Sequence, residues 1–284
     1  MIVQEREAPV LVVELPAGGV EYVDTGGDGP VLVLTHGFPM DHRQWRLVLP
    51  HLDGLRCVLP TLPMGAHRRP MRPDADLSQT GQAAILADLL DALDLRDVTL
   101  VMNDWGGAQF VVALDRAERV GRMAMVACEA FDNFPPGPAR LPAAMCRVPG
   151  GTWLVTRLFQ TSLVRRGPRA YGAMSHARVP DDVLDAWFTP ALRDADVRRD
   201  MQKFATGAPD RRTLLALAER LRDFDRPALV VWAEDDAMMP AEHGPRLAEL
   251  LPQGRLVVVP GSRTLVTEDR PEELARLLRE LVAA

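Results

Sequence analysis

The sequence predicts an α/β protein: a mostly parallel, doubly wound sheet of eight strands, flanked by helices and interrupted by a helical insertion. Three observations carry this. Short β-branched runs recur along the chain, several of them continuously apolar, such as Val31-Leu32-Val33-Leu34 and Leu229-Val230-Val231-Trp232. Such runs suit strands buried on both faces. Amphipathic helical patterns separate the later runs, and strand–helix alternation favours a doubly wound sheet. The alternation then breaks between Phe134 and Asp225, where the pattern is helical throughout.

In chain order, strands are expected at Val10–Glu14, Gly19–Asp24, Val31–Thr35, Arg56–Leu59, Val98–Met102, Met123–Ala127, Ala228–Trp232 and Arg255–Val259. The first two lie close together and read as an antiparallel hairpin. Between Ser78 and Leu95, residues Leu86, Leu89, Leu90 and Leu93 recur at helical spacing. Ala108–Arg119 reads as a second helix. A last helix follows Asp269, with Pro271 in its first turn and an apolar stripe of Leu274, Leu277, Leu278 and Leu281. Pro135-Pro136-Gly137-Pro138 opens the insertion and Arg226-Pro227 closes it. Residues 1–134 and 226–284 are therefore expected to form the core, and residues 135–225 a cap over the sheet edge where ligands bind.

Composition narrows the function. The 284 residues carry 39 acids against 33 bases, a net charge of −6, which disfavours a nucleic-acid partner. At 47% hydrophobic and 25% charged, the chain is that of a folded globular protein. No apolar run approaches the roughly 20 residues of a membrane span, so no membrane partner is expected. The segment from Met1 to Val10 has no apolar signal core. Three cysteines, Cys57, Cys128 and Cys146, fit a reducing cytoplasm rather than a disulfide framework. No metal cluster, phosphate loop or flavin fingerprint is present, so cofactor-free chemistry is expected, in a monomer or homodimer.

The sharpest motif is Val98-Thr99-Leu100-Val101-Met102-Asn103-Asp104-Trp105-Gly106-Gly107. An apolar strand enters a tight turn and then a helix. That layout projects Asp104 from the strand end beside the helix N-terminus, where Trp105 N–H can serve an oxyanion, although an Asp before a helix also acts as a plain N-cap. A second strand ends in His36-Gly37-Phe38-Pro39, which can offer the N–H of Phe38. A third ends in Glu234-Asp235-Asp236, an acid loop closed by Pro240.

With Pro260-Gly261-Ser262 and Glu268-Asp269-Arg270-Pro271, these segments resemble the α/β-hydrolase superfamily, specifically its haloalkane dehalogenase and epoxide hydrolase branch. The resemblance implies the α/β-hydrolase fold and an Asp nucleophile that attacks carbon to form an alkyl ester. It implies Asp104 as nucleophile, Asp236 as the acid orienting a His, Phe38 and Trp105 as oxyanion donors, and the Trp105 indole as a halide donor. Glu129 matches an alternative acid position. Trp153, Tyr171 and Trp187 in the cap are candidates to line a pocket for a small apolar molecule, with core packing the other reading of both tryptophans.

The same resemblance implies a His after the last strand. Thr264 occupies that position, and a hydroxyl is not a base near neutral pH. The six histidines are His36, His42, His51, His67, His176 and His243. His36 beside the oxyanion loop is one substitute base, as is His67; His176 in the cap is another, and His243 is expected on an exposed helix. Tyr171 is the single cap tyrosine, which weakens epoxide hydrolysis. Three readings follow: an Asp-centred hydrolase for a haloalkane or epoxide-like electrophile without the usual base, a non-hydrolytic enzyme using Asp104 as acid or base, and a ligand-binding pseudo-enzyme.

Overall fold

The computed structural model describes residues 9–168 and 170–284. Eight strands form one sheet: β1 (Val10–Leu15), β2 (Gly18–Asp24), β3 (Val31–Thr35), β4 (Arg56–Thr61), β5 (Val98–Asp104), β6 (Val120–Cys128), β7 (Ala228–Ala233) and β8 (Gly254–Val259). Their order is β1-β2-β4-β3-β5-β6-β7-β8. The β1–β2 and β2–β4 pairings are antiparallel and the rest are parallel. All eight expected strands are present, β5 and β6 extending past the expected ends.

The side chains of the central strands alternate between two cores. Val33, Leu100, Met102, Met125 and Val230 face one core, while Leu32, Leu34, Val101, Val126 and Val231 face the other. Helix α1 (Gln79–Ala92), begun by the Ser78 side chain on Gly81 N–H, packs Leu86, Leu89 and Leu90 into the first core. The last helix, α12 (Pro271–Ala283), packs its Leu274, Leu277, Leu278 and Leu281 stripe into the second. The helix expected over Ala108–Arg119 is shorter. It is a 3₁₀ turn at Gly107–Gln109 followed by α2 (Phe110–Ala113), ended by a turn with Asp115 at φ +55°.

Between β6 and β7 the described residues form helices only: α3 (Arg140–Met145), α4 (Gly151–Phe159), α5 (Ser162–Arg165), α6 (Tyr171–Met174), α7 (Asp181–Arg193), α8 (Ala195–Thr206) and α9 (Arg211–Glu219), with 3₁₀ turns at Gly137–Ala139 and Arg220–Asp223. After β7 come α10 (His243–Leu250) and, past β8, α11 (Val266–Asp269). Strand order places the site. The chain runs from β3 outward to β4, then crosses back to β5 on the other side of β3. The C-terminal ends of β3 and β5, paired through Thr35 and Met102, therefore flank a topological switch point, where open α/β sheets hold ligands.

Candidate active site

Asp104 ends β5 with φ +66°, in the left-handed region that non-glycine residues avoid. Surrounding contacts hold this strained turn. Gly37 lies so close that a Cβ there would sit 2.0 Å from Asp104 Oδ2, and a Cβ on Gly106 would sit 1.7 Å from the Glu129 carbonyl. Only glycine fits at both. A buried amide relay locks the two loops together. Gln44 Oε1 accepts Gly37 N–H at 2.8 Å, and Gln44 Nε2 donates to Asn103 Oδ1 at 2.6 Å. Asn103 Nδ2 in turn donates to the carbonyls of Val126 (2.8 Å) and Thr264 (2.7 Å).

The N–H of Phe38 donates to Asp104 Oδ2 at 3.2 Å, leaving Oδ1 without a donor among the described residues. Burial, opposed in part by that bond and reinforced by the Asp236 charge, raises the Asp104 carboxyl to about 7. Glu129 follows β6, and its N–H donates to the Asp104 carbonyl at 2.9 Å. Burial and the nearby Asp104 charge push the Glu129 carboxyl well above its ordinary range, against a bond from Gly106 N–H. Glu129 thus lies beside Asp104 with its charged form disfavoured by burial and by the neighbouring carboxylate.

Above these groups lies a cavity of about 120 Å³. That is near the roughly 150 Å³ apolar cavity known to hold benzene. Asp104, Glu129, Gln79 and Tyr171 are among its few polar walls; Phe38, Phe159, Phe188, Phe204, Met201 and Met238 are typical of the rest. Helices α3, α4, α7 and α8 roof it through Ala143, Val155, Phe188 and Met201. The Tyr171 hydroxyl donates to the Phe38 carbonyl at 3.2 Å, and burial together with the Asp104 charge keeps it a phenol.

Several sequence-based expectations need correction. The Trp105 N–H donates to the Asn103 carbonyl at 2.9 Å, because the turn folds back on itself, so among the described residues Phe38 is the donor to the Asp104 carboxyl. The Trp105 indole lines the cavity, but its N–H is bound to Gln79 Oε1 at 2.5 Å rather than open to a halide. Trp187 is fully buried outside the cavity, its indole donating to Asp41 Oδ1 at 3.1 Å. Trp153 is 48% exposed and also lies outside the cavity.

Thr264 is fully buried, and its hydroxyl donates to Asp236 Oδ1 at 2.7 Å. The same oxygen accepts the N–H groups of Met238 and Met239, while Asp236 Oδ2 is buried without a partner among the described residues. Burial raises the Asp236 carboxyl. None of the substitute histidines reaches the cavity. His36 accepts Leu62 N–H on Nε2 at 2.8 Å, which leaves Nδ1 to donate to the Gly37 carbonyl at 2.9 Å. Both nitrogens are committed, and burial lowers its pKa to about 4. His67 joins Gly65 N–H and Asp200. His176 is exposed and pairs with Asp235 at 2.9 Å instead of pointing into the site. His243, expected exposed, is buried edge-on against Phe131.

Gln79 is the site residue the sequence reading missed. The Ser78 cap marks where its helix starts, but nothing local shows that the first helical side chain turns inward to Trp105. Gln44 was equally silent.

The fold agrees with comparisons to known proteins. The model of the Alpha/beta hydrolase family matches residues 32–277. A haloalkane dehalogenase of Mesorhizobium japonicum is 39% identical over 103 residues, which cover 36% of this chain and only 33% of that protein. Haloalkane dehalogenase 2 of Mycobacterium tuberculosis is 26% identical over 280 residues, 93% of this chain and 91% of its own. Among solved structures, haloalkane dehalogenase DbeA of Bradyrhizobium elkani superposes with a TM-score of 0.77 at 19% identity, covering 97% of each chain. A metagenomic epoxide hydrolase from hot environments also reaches 0.77, at 24% identity, covering 98% of this chain and 100% of that one. The Asp-bearing elbow at the switch point and the extent of the family match place the chain in one group: it belongs to the alpha/beta hydrolase family and resembles the family's dehalogenase and epoxide hydrolase branch.

Proposed function

We propose that the protein is a hydrolase-type enzyme in which Asp104 attacks a small apolar electrophile, a haloalkane or epoxide-like molecule, under a helical cap formed by residues 135–225. The observation that carries this is a single carboxylate oxygen, Asp104 Oδ1, left without a donor at the floor of an apolar cavity while Oδ2 is held by Phe38. In the reaction a bond forms from Asp104 oxygen to carbon and the carbon–halogen bond breaks, the halide leaving with the electron pair. The low polarity of the walls favours a neutral substrate over an ionic one. Dehalogenase relatives aligned over nearly the whole chain support the same chemistry.

Hydrolysis of the resulting ester needs a base to activate water. With Thr264 bonded to Asp236 and His36 and His67 committed elsewhere, this site holds no imidazole for that step. Halide release should therefore stop near one equivalent per protein. A bromide release time course with short bromoalkanes tests this, with Asp104→Asn as control. A single burst that the control lacks supports alkylation without turnover. Sustained release means another base acts, and no release removes the alkylation reading.

A second reading is favoured by one observation. Two neutral-leaning carboxyls, Asp104 at about 7 and Glu129 higher than usual, share one cavity. Groups so tuned suit proton transfer near neutral pH. Elimination, isomerisation or ring closure of a small metabolite would use Asp104 as acid or base and would need no histidine.

A further inference from the structure

The outer face of the helices that roof the cavity is unusual in both charge and polarity. Between Asp132 and Asp181 the sequence holds seven arginines and no Asp, Glu or Lys, in a chain whose net charge is −6. The same stretch carries the largest share of the exposed bulky apolar side chains. Leu163 is 88% and Leu141 70% exposed, and Val148, Trp153, Leu154 and Leu158 are open to solvent as well. In α4, Trp153, Leu154, Arg157 and Leu158 occupy one face at i, i+1, i+4 and i+5, while Thr152, Val155 and Thr156 face inward. Helices α3 and α5 pack beside α4 and carry the exposed Leu141 and Leu163.

Six of the seven arginines lie among the described residues, and they divide in two. Arg165, Arg166 and Arg178 are paired with Asp181 or Asp185. Arg140, Arg147 and Arg157 are exposed and form no ion pair among the described residues. A folded monomer gains nothing by leaving bulky apolar groups and unpaired cations together in water. A helix face of this composition matches the surface of an anionic bilayer, whose phosphates take the arginines and whose acyl boundary takes Trp and Leu.

We propose that α3, α4 and α5 form a peripheral docking face for an anionic lipid bilayer. The absence of a spanning segment predicts no membrane partner, but adsorption at the interface needs no span. A second copy of the chain fits less well, because a two-fold interface through this face would set Arg157 and its neighbours against their own copies. The geometry also gives the face a use. The inner sides of the same helices contribute Ala143, Val155 and Phe159 to the cavity wall. An apolar molecule dissolved in a bilayer would meet the protein at the elements that cover the cavity.

Trp153 reports on this directly, since Trp45, Trp105, Trp187 and Trp232 are buried. The full chain is mixed with vesicles of phosphatidylcholine, with or without 30% phosphatidylglycerol, and acrylamide quenching and flotation are followed. The expected result is flotation with the anionic vesicles only, protection of Trp153 from quenching, and release by 0.5 M NaCl. Replacing Arg140, Arg147 and Arg157 together by Gln should weaken binding on the order of 100-fold, and Leu154→Ser with Leu163→Ser should weaken it too. These residues are exposed, so the variants should keep the parent's far-ultraviolet spectrum and melting temperature. No flotation, flotation unaffected by the arginine replacements, or a Trp153 already shielded without lipid in a concentration-dependent dimer would overturn the proposal.

Discussion

Replacing Asp104 by Asn should stabilise the protein increasingly as pH rises above about 4, with the full gain reached above about pH 7. In the folded chain the Asp104 carboxyl keeps its proton up to about pH 7, whereas its ordinary value is 3.8. Between those values the folded state binds more protons than the unfolded state, so stability falls as pH rises. Above about pH 7 the loss is complete, and the move from 3.8 to about 7 corresponds to about 4 kcal/mol. Asn has the same shape and no charge. Its carbonyl can accept the Phe38 N–H, though an amide is a weaker acceptor than a carboxylate by about 1 kcal/mol. Asp104→Asn should thus gain about 3 kcal/mol at pH 8.5 and close to nothing at pH 4. Urea unfolding of parent and variant at both pH values reads this directly. The comparison within each pH cancels titrating groups remote from Asp104, leaving the carboxyls of Glu129 and Asp236 as its coupled neighbours. A variant no more stable than the parent at pH 8.5, or a gain of equal size at both pH values, would refute the argument that burial of this charge is an energetic cost accepted for function.

Three further outcomes follow from the geometry. Thr264→His should convert a one-equivalent burst of halide into continuous release, at a packing cost of about 1–3 kcal/mol because the site is fully buried; steady-state halide assays and thermal melting measure the two effects. Gly37→Ala would place a methyl group 2.0 Å from Asp104 Oδ2, so burst amplitude or rate should fall by about 100-fold, with Asp104 displaced in a crystal structure of the variant. Asn103→Leu strands Gln44 Nε2 and the carbonyls of Val126 and Thr264, and should lower stability by about 3–5 kcal/mol in urea titrations.

The sheet was legible because its signals are local. Continuous apolar runs such as Leu229-Val230-Val231-Trp232 are forced into buried strands by their own composition, and the stripe on α12 admits one orientation. The elbow was legible for the same reason: Asn103-Asp104-Trp105-Gly106-Gly107 encodes a turn that glycine alone can close. What failed to show in the sequence depends on long-range contacts. Nothing near Trp187 indicates that Asp41 takes its indole N–H, and nothing near Trp105 indicates Gln79. His243 follows a proline loop that reads as exposed, yet Phe131 covers its ring. The relay from Gln44 through Asn103 to Thr264 joins residues 59 and 161 positions apart, and no local pattern reports such a distance. Thr264 itself lay in plain view, but its bond to Asp236 required the fold.

We propose Asp104 as a carbon-directed nucleophile in a site without a base to complete hydrolysis. Peptide mass spectrometry after incubation with 1-bromobutane tests it most directly. The prediction is one butyl group, carried as an ester on the peptide containing Asp104, at a stoichiometry approaching one and persisting for hours. An unmodified Asp104 peptide after exhaustive incubation, whether halide has been released continuously or not at all, would contradict it.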